Sequence, residues 1–450
     1  MTDSNEAPPV PVCPNTKQTG EARPREWDWV ERSIWTERML EALEQGVKGG
    51  VWFSLIDKVV RVQTLRAAWS LVKANRGSAG TDHRSLEDFE ARLEENLGQL
   101  HAELQSGEYR PRPIRRVWID KPGSREKRPL GIPAVRDRVV QSALRLVPEP
   151  IWEREFHPQS YGFRPGRGCK DALRRVDGLL KEGCLWVVDA DIKSYFDSIP
   201  HDRLLAEAQQ RIADGRVLGL LAQYLQQAIP DGLERWQPEE GTPQGAVISP
   251  LLANLYLHPV DVAMAEQGWE MVRDADDLVI LCRSLVGAEA ALAWLTKLLG
   301  ERGLTLHPQK PRIANLTGPG EGFDFLGYHF ERGRRSGRLQ RRPRRKSLKK
   351  LKDAIRLKTG RSNGHSLAVI IRAVNQTLRG WFEYFKHSNK ATFGPLDKWL
   401  RRRVRSILRV RSKRKGISGG FDHIRWPNQY FREQGLFSLE TAHRALLQSS

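Results

Sequence analysis

The sequence predicts an α+β protein with roughly two to four structural units. Two short apolar runs in the central part of the chain, "LWVVDADI" and "DLVILC", are typical of buried strands. Segments with an apolar residue at every third or fourth position, which predict amphipathic helices, lie on both sides of that part. The length of 450 residues exceeds what a single hydrophobic core usually serves.

The N-terminal part predicts a tail followed by helices. Residues 1–25 have almost no apolar periodicity and predict a flexible tail, with order beginning near Trp27. A helix that contains residues 65–72 is expected to end before Gly77. The segment "SLEDFEARLEENLGQLHAEL" has apolar residues at helical spacing behind a serine cap and predicts further helix.

The rest of the chain predicts a change of architecture near residue 331. Strands and helices alternate over residues 106–330, and "GFDFLGYHF" predicts a strand or one arm of a hairpin. A strongly basic run interrupted by Pro343 then marks a boundary. Three amphipathic segments follow and predict a small helical bundle over residues 331–415, with a short basic extension over 416–450.

Composition indicates a polyanionic partner. Lys and Arg number 74 against 54 Asp and Glu, a net charge of +20. Nucleic acid is favoured over a membrane, because the chain has neither an apolar run of about 18 residues nor an apolar signal core. The four cysteines form no Cys-x-x-Cys pair, so neither a disulfide framework nor a zinc site is expected, and a reducing cytoplasm fits.

Two acidic clusters predict the chemistry. Asp191 ends an apolar strand in "VVDADIKSYFDSIPH", and Asp276 and Asp277 lie at an expected tight turn between two apolar strands in "MVRDADDLVIL". Neighbouring carboxylates repel each other, and divalent cations offset that repulsion. Three carboxylates can hold two ions about 3.5–4 Å apart for phosphoryl transfer, and Mg²⁺ suits such a site. Either cluster alone has a simpler interpretation, a solvated acidic turn.

A family resemblance rests on a series of motifs. In order, they are "KRPLGIPAVRDRVVQSAL", "YGFRPGRGC", "DADIKSYFDSIPH", "GTPQGAVISPLLANLYLHPVD", "DADDLVILC" and "FDFLGYHF". Their order and spacing resemble the signature blocks of bacterial group II intron-encoded reverse transcriptases and maturases, and only the first 25 or so residues fall outside. The resemblance implies right-hand polymerase fingers and palm over 26–330, with an antiparallel palm sheet. It further implies a helical thumb or maturase domain over 331–415 and a DNA-binding-like extension over 416–450.

The resemblance also implies the catalytic and nucleotide-binding residues. The ligands of two Mg²⁺ ions, or of Mn²⁺ as a substitute, would be Asp191, Asp276 and Asp277. Asp189 shares a strand face with Asp191 and is the second choice as a ligand. The residues that would bind the deoxynucleotide are Lys121 and Arg128 at the triphosphate, Phe196 against the sugar and Gln244 near the nascent base pair. Arg125 and Lys127 leave open which cation grips the triphosphate, and helix packing is the alternative for Phe196.

Contacts to nucleic acid are expected in two regions. Arg164 would meet the template backbone, and Lys310 and the segment "RRRVRSILRVRSKRKG" would contact phosphates. The arginines of that segment proposed for this role are Arg401, Arg402, Arg403 and Arg405. A solvated helix face is the alternative for this segment. Trp426, Tyr430 and Phe431 could stack on bases, although core packing is favoured.

Two departures from the family pattern stand out. Asp274 occupies a position where the family has an aromatic residue, usually Tyr, so a further negative charge lies near the metal ligands. Asp274 could turn away, bind a metal ion or pair with Arg273. After the predicted bundle there are no cysteine pairs or metal-spaced histidines, so a His-Asn-His endonuclease is not expected.

Three hypotheses for function follow. The first is an RNA-directed DNA polymerase that binds group II intron RNA, assists its splicing and copies it into target DNA from deoxynucleoside triphosphates. The second is a maturase whose polymerase site has decayed at Asp274. The third is a polymerase that no longer serves an intron. An oligomer is compatible with each of them.

Overall fold

The computed structural model describes residues 27–120, 127–231, 234–236, 239–308, 311–334, 336–361, 363–414 and 420–448. The predicted tail over residues 1–25 lies outside these ranges. Two compact units divide between Ile313 and Ala314. Within the described ranges, no helix combines the length and the apolar character needed to cross a membrane.

The N-terminal part of the first unit is helical, as predicted. Its helices are α1 (Glu37–Gln45), α2 (Ile56–Val59), α3 (Val62–Asn75), α4 (Leu86–Glu90) and α5 (Leu93–Ser106). Ser85 starts α4 with a capping box, in which its side chain accepts a hydrogen bond from the Asp88 amide. Arg92 then leaves helical geometry at φ −128° and ψ 44°, which separates α4 from α5.

The remainder of the first unit alternates strands and helices. In chain order, these elements are β1 (Arg115–Asp120), β2 (Lys127–Ile132), α6 (Val135–Leu146), α7 (Glu149–Glu155), α8 (Cys169–Lys181), β3 (Trp186–Asp191), α9 (His201–Gln209), α10 (Gly215–Leu225), β4 (Ile229–Asp231), β5 (Glu234–Trp236), α11 (Ser249–Glu266), β6 (Glu270–Asp274), β7 (Asp277–Cys282), α12 (Leu285–Glu301) and β8 (Arg312–Asn315). The predicted strands in "LWVVDADI" and "DLVILC" are β3 and β7.

A four-stranded sheet in the order β6-β7-β3-β8 organises this unit, and β7 pairs antiparallel with both β6 and β3. Helices α8, α11 and α12 pack against its strands. Side chains alternate between the two faces, so Val188, Leu278 and Ile280 lie in the main hydrophobic core. The acidic residues at the strand ends belong to the opposite face.

The second unit contains a small sheet and a helical bundle. Its elements are β9 (Gly322–Phe325), β10 (Tyr328–Arg332), β11 (Leu339–Pro343), α13 (Arg345–Lys358), α14 (Leu367–Phe385), α15 (Phe393–Arg411), α16 (Gly420–Arg425), α17 (Asn428–Glu433) and α18 (Leu439–Gln448). "GFDFLGYHF" forms the β9–β10 hairpin. Strand β11 pairs antiparallel with β10. The predicted boundary at residue 331 is therefore wrong, because one sheet crosses it.

Helices α13, α14 and α15 form the predicted bundle, but the C-terminal extension is not a separate layer. Trp426, Phe431 and Leu439 pack in the same core as the apolar stripes of the bundle. In addition, Asp397 of α15 accepts hydrogen bonds from the backbone amides of Leu439 and Glu440, at 3.0 and 3.1 Å, and thereby caps α18. The predicted division at residue 416 does not separate two cores.

Glu149 is a buried acid that the sequence did not single out. It is 7 % exposed at the start of α7, with its carboxylate 3.4 Å from the Arg145 guanidinium. Burial raises the pKa of Glu149 to about 7; Arg145 opposes that rise and Glu153 adds to it. Because the folded state favours the protonated form, this residue costs stability as the pH rises from the unfolded pKa towards 7.

We expect Glu149→Gln to stabilise the protein at pH 8 by roughly 1–3 kcal/mol and to have little effect at pH 5, where the native carboxyl is protonated. Unfolding by urea at the two pH values measures the difference. Glu95→Gln, at an exposed position of α5, serves as the control. An equal effect of Glu149→Gln at both pH values would contradict the shifted titration.

Candidate functional site

The two acidic clusters meet at one end of the central sheet. Asp277 is the register partner of Asp191 on β3 and also of Asp274 on β6. Register partners on neighbouring strands share a face, so these three acids form a row across the sheet. Asp276 lies within the turn that joins β6 to β7. Asp191, Asp276 and Asp277 are all half-buried and thus reach solvent.

This donor set suits a divalent cation that prefers oxygen ligands. Two carboxylates face each other across adjacent strands and a third follows in the turn. Nevertheless, the described residues contain no group of three or more His, Cys, Asp or Glu side chains arranged to hold a metal. Asp189, the second choice, is 3.1 Å from the Arg312 guanidinium and so has a cationic partner.

Arg273 fixes the turn from the core side of the sheet. Its guanidinium is buried and donates to both carboxylate oxygens of Asp261 on α11, with an Nε–Oδ1 distance of 2.7 Å. The remaining donors bind the Asn254 side chain, the Ser160 hydroxyl and the Ala275 carbonyl. Burial alone would lower the pKa of Arg273, but Asp261 raises it above its ordinary value. The arginine is therefore charged, and it holds the turn through Ala275.

Asp274 does not pair directly with Arg273, because consecutive strand residues face opposite sides of a sheet. Instead, its half-buried side chain accepts a hydrogen bond from the Cys169 thiol at the start of α8. Burial raises the pKa of Asp274, while Cys169 and the charge of Arg273 partly oppose that rise. Among the described residues, its Oδ2 atom is buried without a hydrogen-bond partner. Aspartate at position 274 thus places a poorly solvated carboxylate at the β6 end of the acidic row.

The loop that carries "YGFRPG" packs directly on the turn. The Tyr161 amide donates to the Arg273 carbonyl at 2.8 Å. A Cβ atom at Gly162 would lie 2.4 Å from the Ala275 nitrogen, so only glycine allows this approach. The next residue, Phe163, is 59 % exposed at φ +59°, and its ring contacts that of Phe196 edge-on at 6.4 Å between centroids.

A cleft of about 190 Å³ continues from Phe196. It is lined by Asp197 and Gln244, with Arg116 on β1 and Gly131 on β2. Gln244 Nε2 donates to the Asp197 carboxylate, with N–O distances of 3.3 and 3.2 Å, and the Gly131 amide donates to the Gln244 carbonyl at 2.7 Å. Gly245, at φ +105°, lies so close to β2 that a Cβ atom there would be 2.4 Å from the Gly131 carbonyl oxygen.

The predicted cationic residues of the first unit differ in what the structure describes. Lys121 and Lys310 lie outside the described residues, and Arg128 is on β2 opposite Ile119, with a side chain that is not described. Arg164 is 6 % exposed and donates to the Glu153 carboxylate and to the carbonyls of His157 and Ser160. The predicted contact of Arg164 with the template backbone is wrong in this structure, because these protein acceptors occupy its donors.

The four arginines of α15 differ in their surroundings. Arg402 is exposed and Arg401 is half-buried. Arg403 donates to the hydroxyl and carbonyl of Thr359, at 2.8 and 3.0 Å. Arg405 is 2 % exposed and donates to the Trp426 carbonyl, so its predicted phosphate contact is wrong; it holds the bundle together instead.

Four residues of the site were missed by the sequence reasoning. Asp197 orients Gln244, Phe163 contacts Phe196, and Gly162 and Gly245 allow the close approaches. Both glycines lie inside the motifs "YGFRPG" and "PQG" beside residues that were noted. A glycine flanked by candidate site residues was therefore the available signal.

The chain matches two protein families in succession. Residues 119–330 match the family "Reverse transcriptase (RNA-dependent DNA polymerase)". Residues 348–426 match "Group II intron, maturase-specific domain". A reverse transcriptase domain implies dependence on a divalent metal ion, and maturase relatives imply binding of intron RNA.

Three curated proteins are similar to this chain. Protein YkfC of Escherichia coli K12 is 34 % identical over 62 % of this chain and 83 % of its own length. The group II intron-encoded protein LtrA of Lactococcus lactis is 37 % identical over 41 % of this chain and 31 % of its own length. A 91 kDa protein of a cob intron of Schizosaccharomyces pombe is 44 % identical over 37 % and 20 %, respectively. The chain thus matches most of YkfC but only a third or less of the other two proteins.

We expect Gly162→Ala to disturb the acidic turn, because the added methyl group would meet backbone atoms of Asp274 and Ala275 that cannot rotate away. A cost of about 1–3 kcal/mol in unfolding free energy and faster amide hydrogen exchange at residues 274–277 are the expected results. Gly168→Ala in the same loop is the matched control, since its Cβ atom would have nothing within 4 Å. Equal effects of the two variants would contradict this packing argument.

Proposed function

Because the chain belongs to the group II intron reverse transcriptases and maturases, we propose that it synthesises DNA on an RNA template and assists the splicing of its intron RNA. Its substrates are deoxynucleoside triphosphates and a primer paired with a template. The observation that carries this proposal is the register of β3 with β7, which sets Asp191 opposite Asp277, the residue after Asp276.

The contacts around this acidic row support a continuous polymerase site. Gly162 packs on the turn of the acidic row, and the ring of the adjacent Phe163 contacts Phe196. Asp197, which follows Phe196 in the chain, accepts a hydrogen bond from Gln244. The site therefore passes from the carboxylates to the cleft between β2 and the Pro243–Gly245 turn without a gap in its contacts. In right-hand polymerase terms, this region is the palm, and β1 and β2 belong to the fingers.

We assign Asp191, Asp276 and Asp277 as the ligands of two Mg²⁺ ions, with Mn²⁺ as a substitute. Such ions, when bound, lower the pKa of the primer 3′-hydroxyl and neutralise the charge that develops on the phosphate oxygens. The protein's own part is to hold three carboxylates at the rim of a rigid sheet. Arg273 contributes by fixing the turn that carries two of them.

We assign the nucleotide contacts to the cleft and to Phe196 beside it. Phe196, which Phe163 contacts edge-on, would pack against the sugar and exclude a 2′-hydroxyl. Gln244, which donates to Asp197, is assigned to the nascent base pair. Arg128, together with Lys121, is assigned to the triphosphate, because a guanidinium fork and an ammonium both suit phosphate oxygens.

Asp274 favours a second candidate function, a maturase with an impaired polymerase site. Two unit charges 4 Å apart repel by about 4 kcal/mol at an effective dielectric constant of about 20, so an ionised Asp274 would disturb ion binding or primer placement. The Cys169 thiol at the start of α8 donates a hydrogen bond to the Asp274 carboxylate and so partly compensates its charge. This contact supports retained polymerase activity.

We expect Asp276→Asn to reduce primer extension on an RNA template with Mg²⁺ by at least about 100-fold, because a charged ligand of the reaction centre is lost. Affinity for RNA should be unchanged. Glu289→Gln, at an exposed position of α12, is the control and should extend primers like the native protein. Full activity of Asp276→Asn would overturn the assignment of the site.

We expect Asp274→Tyr to raise primer extension several-fold, because it removes a carboxylate beside the metal ligands. The companion variant Asp274→Asn removes the charge while nearly keeping the size, so it separates the electrostatic contribution from that of an aromatic ring. A native protein that is inactive while Asp274→Tyr is active would establish the impaired maturase instead. Reduced activity in both variants would show that Asp274 takes part in the reaction.

A further inference from the structure

We propose that Arg334 and Arg338, at the tip of the β10–β11 hairpin (described residues 333–334 and 336–338), bind phosphate groups of RNA. The inference rests on the proposed function, in that it names a surface through which the maturase part of the chain would hold RNA. The sequence "RGRRSGR" was noted only as part of a basic boundary, and neither the catalytic row nor the arginines of α15 include it.

The tip has a defined backbone conformation. The Gly333 amide donates to the Arg338 carbonyl at 2.9 Å, and the Gly337 amide donates to the Gly333 carbonyl at 2.8 Å. From the base of the hairpin, the Arg332 guanidinium donates to the carbonyls of Gly337 and Leu316, at 2.7 and 2.8 Å. Arg332 thus links Gly337 to Leu316, and these protein carbonyls occupy its guanidinium.

Arg334 and Arg338 are the cations available for binding. Both are exposed, and within the part of the chain that the structure describes neither has an acidic partner within 4 Å. The nearest acid along β10, Glu331, is already bound by the Arg342 guanidinium and by Gln340 Nε2 at 2.9 Å. The tip therefore carries positive charge that the protein itself does not neutralise.

A polar cleft of about 360 Å³ lies beside Arg334. It is lined by Arg332, Arg334, Ser336 and Arg342, and also by Glu331, whose carboxylate is paired with Arg342. A Cβ atom at Gly333 would come within 2.6 Å of the Ser336 hydroxyl and 2.8 Å of Gln340 Nε2, so a side chain there would fill part of this space. Guanidinium groups around an open polar cleft match the size, charge and acceptor geometry of a phosphate.

A polynucleotide suits this surface better than a single small anion. Exposed cations continue beyond β11 at Arg345 and Lys346, so the positive charge extends past the cleft. The tip has no aromatic residue to stack on bases. Contacts to successive phosphates, without base reading, are what such a surface can make.

The test is the salt dependence of RNA binding by the double variant Arg334→Gln, Arg338→Gln in the full chain. For an RNA oligonucleotide followed by fluorescence anisotropy, the slope of log K against log salt should become less negative by about 1.4–1.8, or 0.7–0.9 for each phosphate contact. Affinity near physiological salt should fall roughly ten-fold. The matched control is Arg84→Gln, Arg92→Gln, at two exposed positions of the first unit, which should leave the slope unchanged.

The outcomes separate this inference from the proposed function. If the native protein binds RNA with a steep dependence of log K on log salt and the double variant has the same slope, the inference is overturned and the proposed function stands. A native protein without RNA affinity overturns the maturase function and the inference with it. A slope that changes for duplex DNA but not for RNA overturns the assignment to RNA. Equal free energies of unfolding in urea for the double variant and the native protein would show that the variant is folded, so that a changed slope reports a lost phosphate contact.

Discussion

The buried ion pair between Arg273 and Asp261 is the interaction on which the geometry of the site depends. All five N–H donors of the guanidinium are used, on Asp261, Asn254, Ser160 and the Ala275 carbonyl. They connect helix α11, the loop before Phe163 and the acidic turn. A buried charge left without its partner commonly costs about 3–5 kcal/mol, so each of these segments holds the others in register.

Side chains alternate between the two faces of a strand, so one short hairpin can place an arginine in the core and carboxylates on the opposite face. Arg273 points into the core, where a charge survives only if it is fully paired, whereas Asp274 and Asp277 share the opposite face with Asp191. Ala275, at φ +60°, makes the tight reversal between them. The family's usual aromatic residue would add no charge to this face. In this chain the extra carboxylate is half-buried and accepts a hydrogen bond from the Cys169 thiol.

The sequence predicted the strands and the meeting of Asp191 with Asp277, because apolar runs that end in acids are local signals. It could not predict the partners that irregular loops bring to a side chain. Arg164 is an arginine in a basic motif, and the loop before it folds back so that Glu153 and two carbonyls, 4 to 11 residues away, bind its guanidinium. Arg405 was misjudged for the same reason. Strand β11 was missed because "LQRRP" is polar, as sheet edges often are.

The three-stranded sheet β9-β10-β11 has a consequence for how this protein can be rearranged. Since β10 and β11 pair residue by residue from Tyr328 with Pro343 to Arg332 with Leu339, a junction at residue 331 would sever the sheet. Chimeras that graft the helical bundle of one relative onto the polymerase half of another should therefore be joined within residues 316–321, between β8 and β9, where no strand is cut. Natural recombination between such genes faces the same constraint, so the sheet and the bundle should be inherited together.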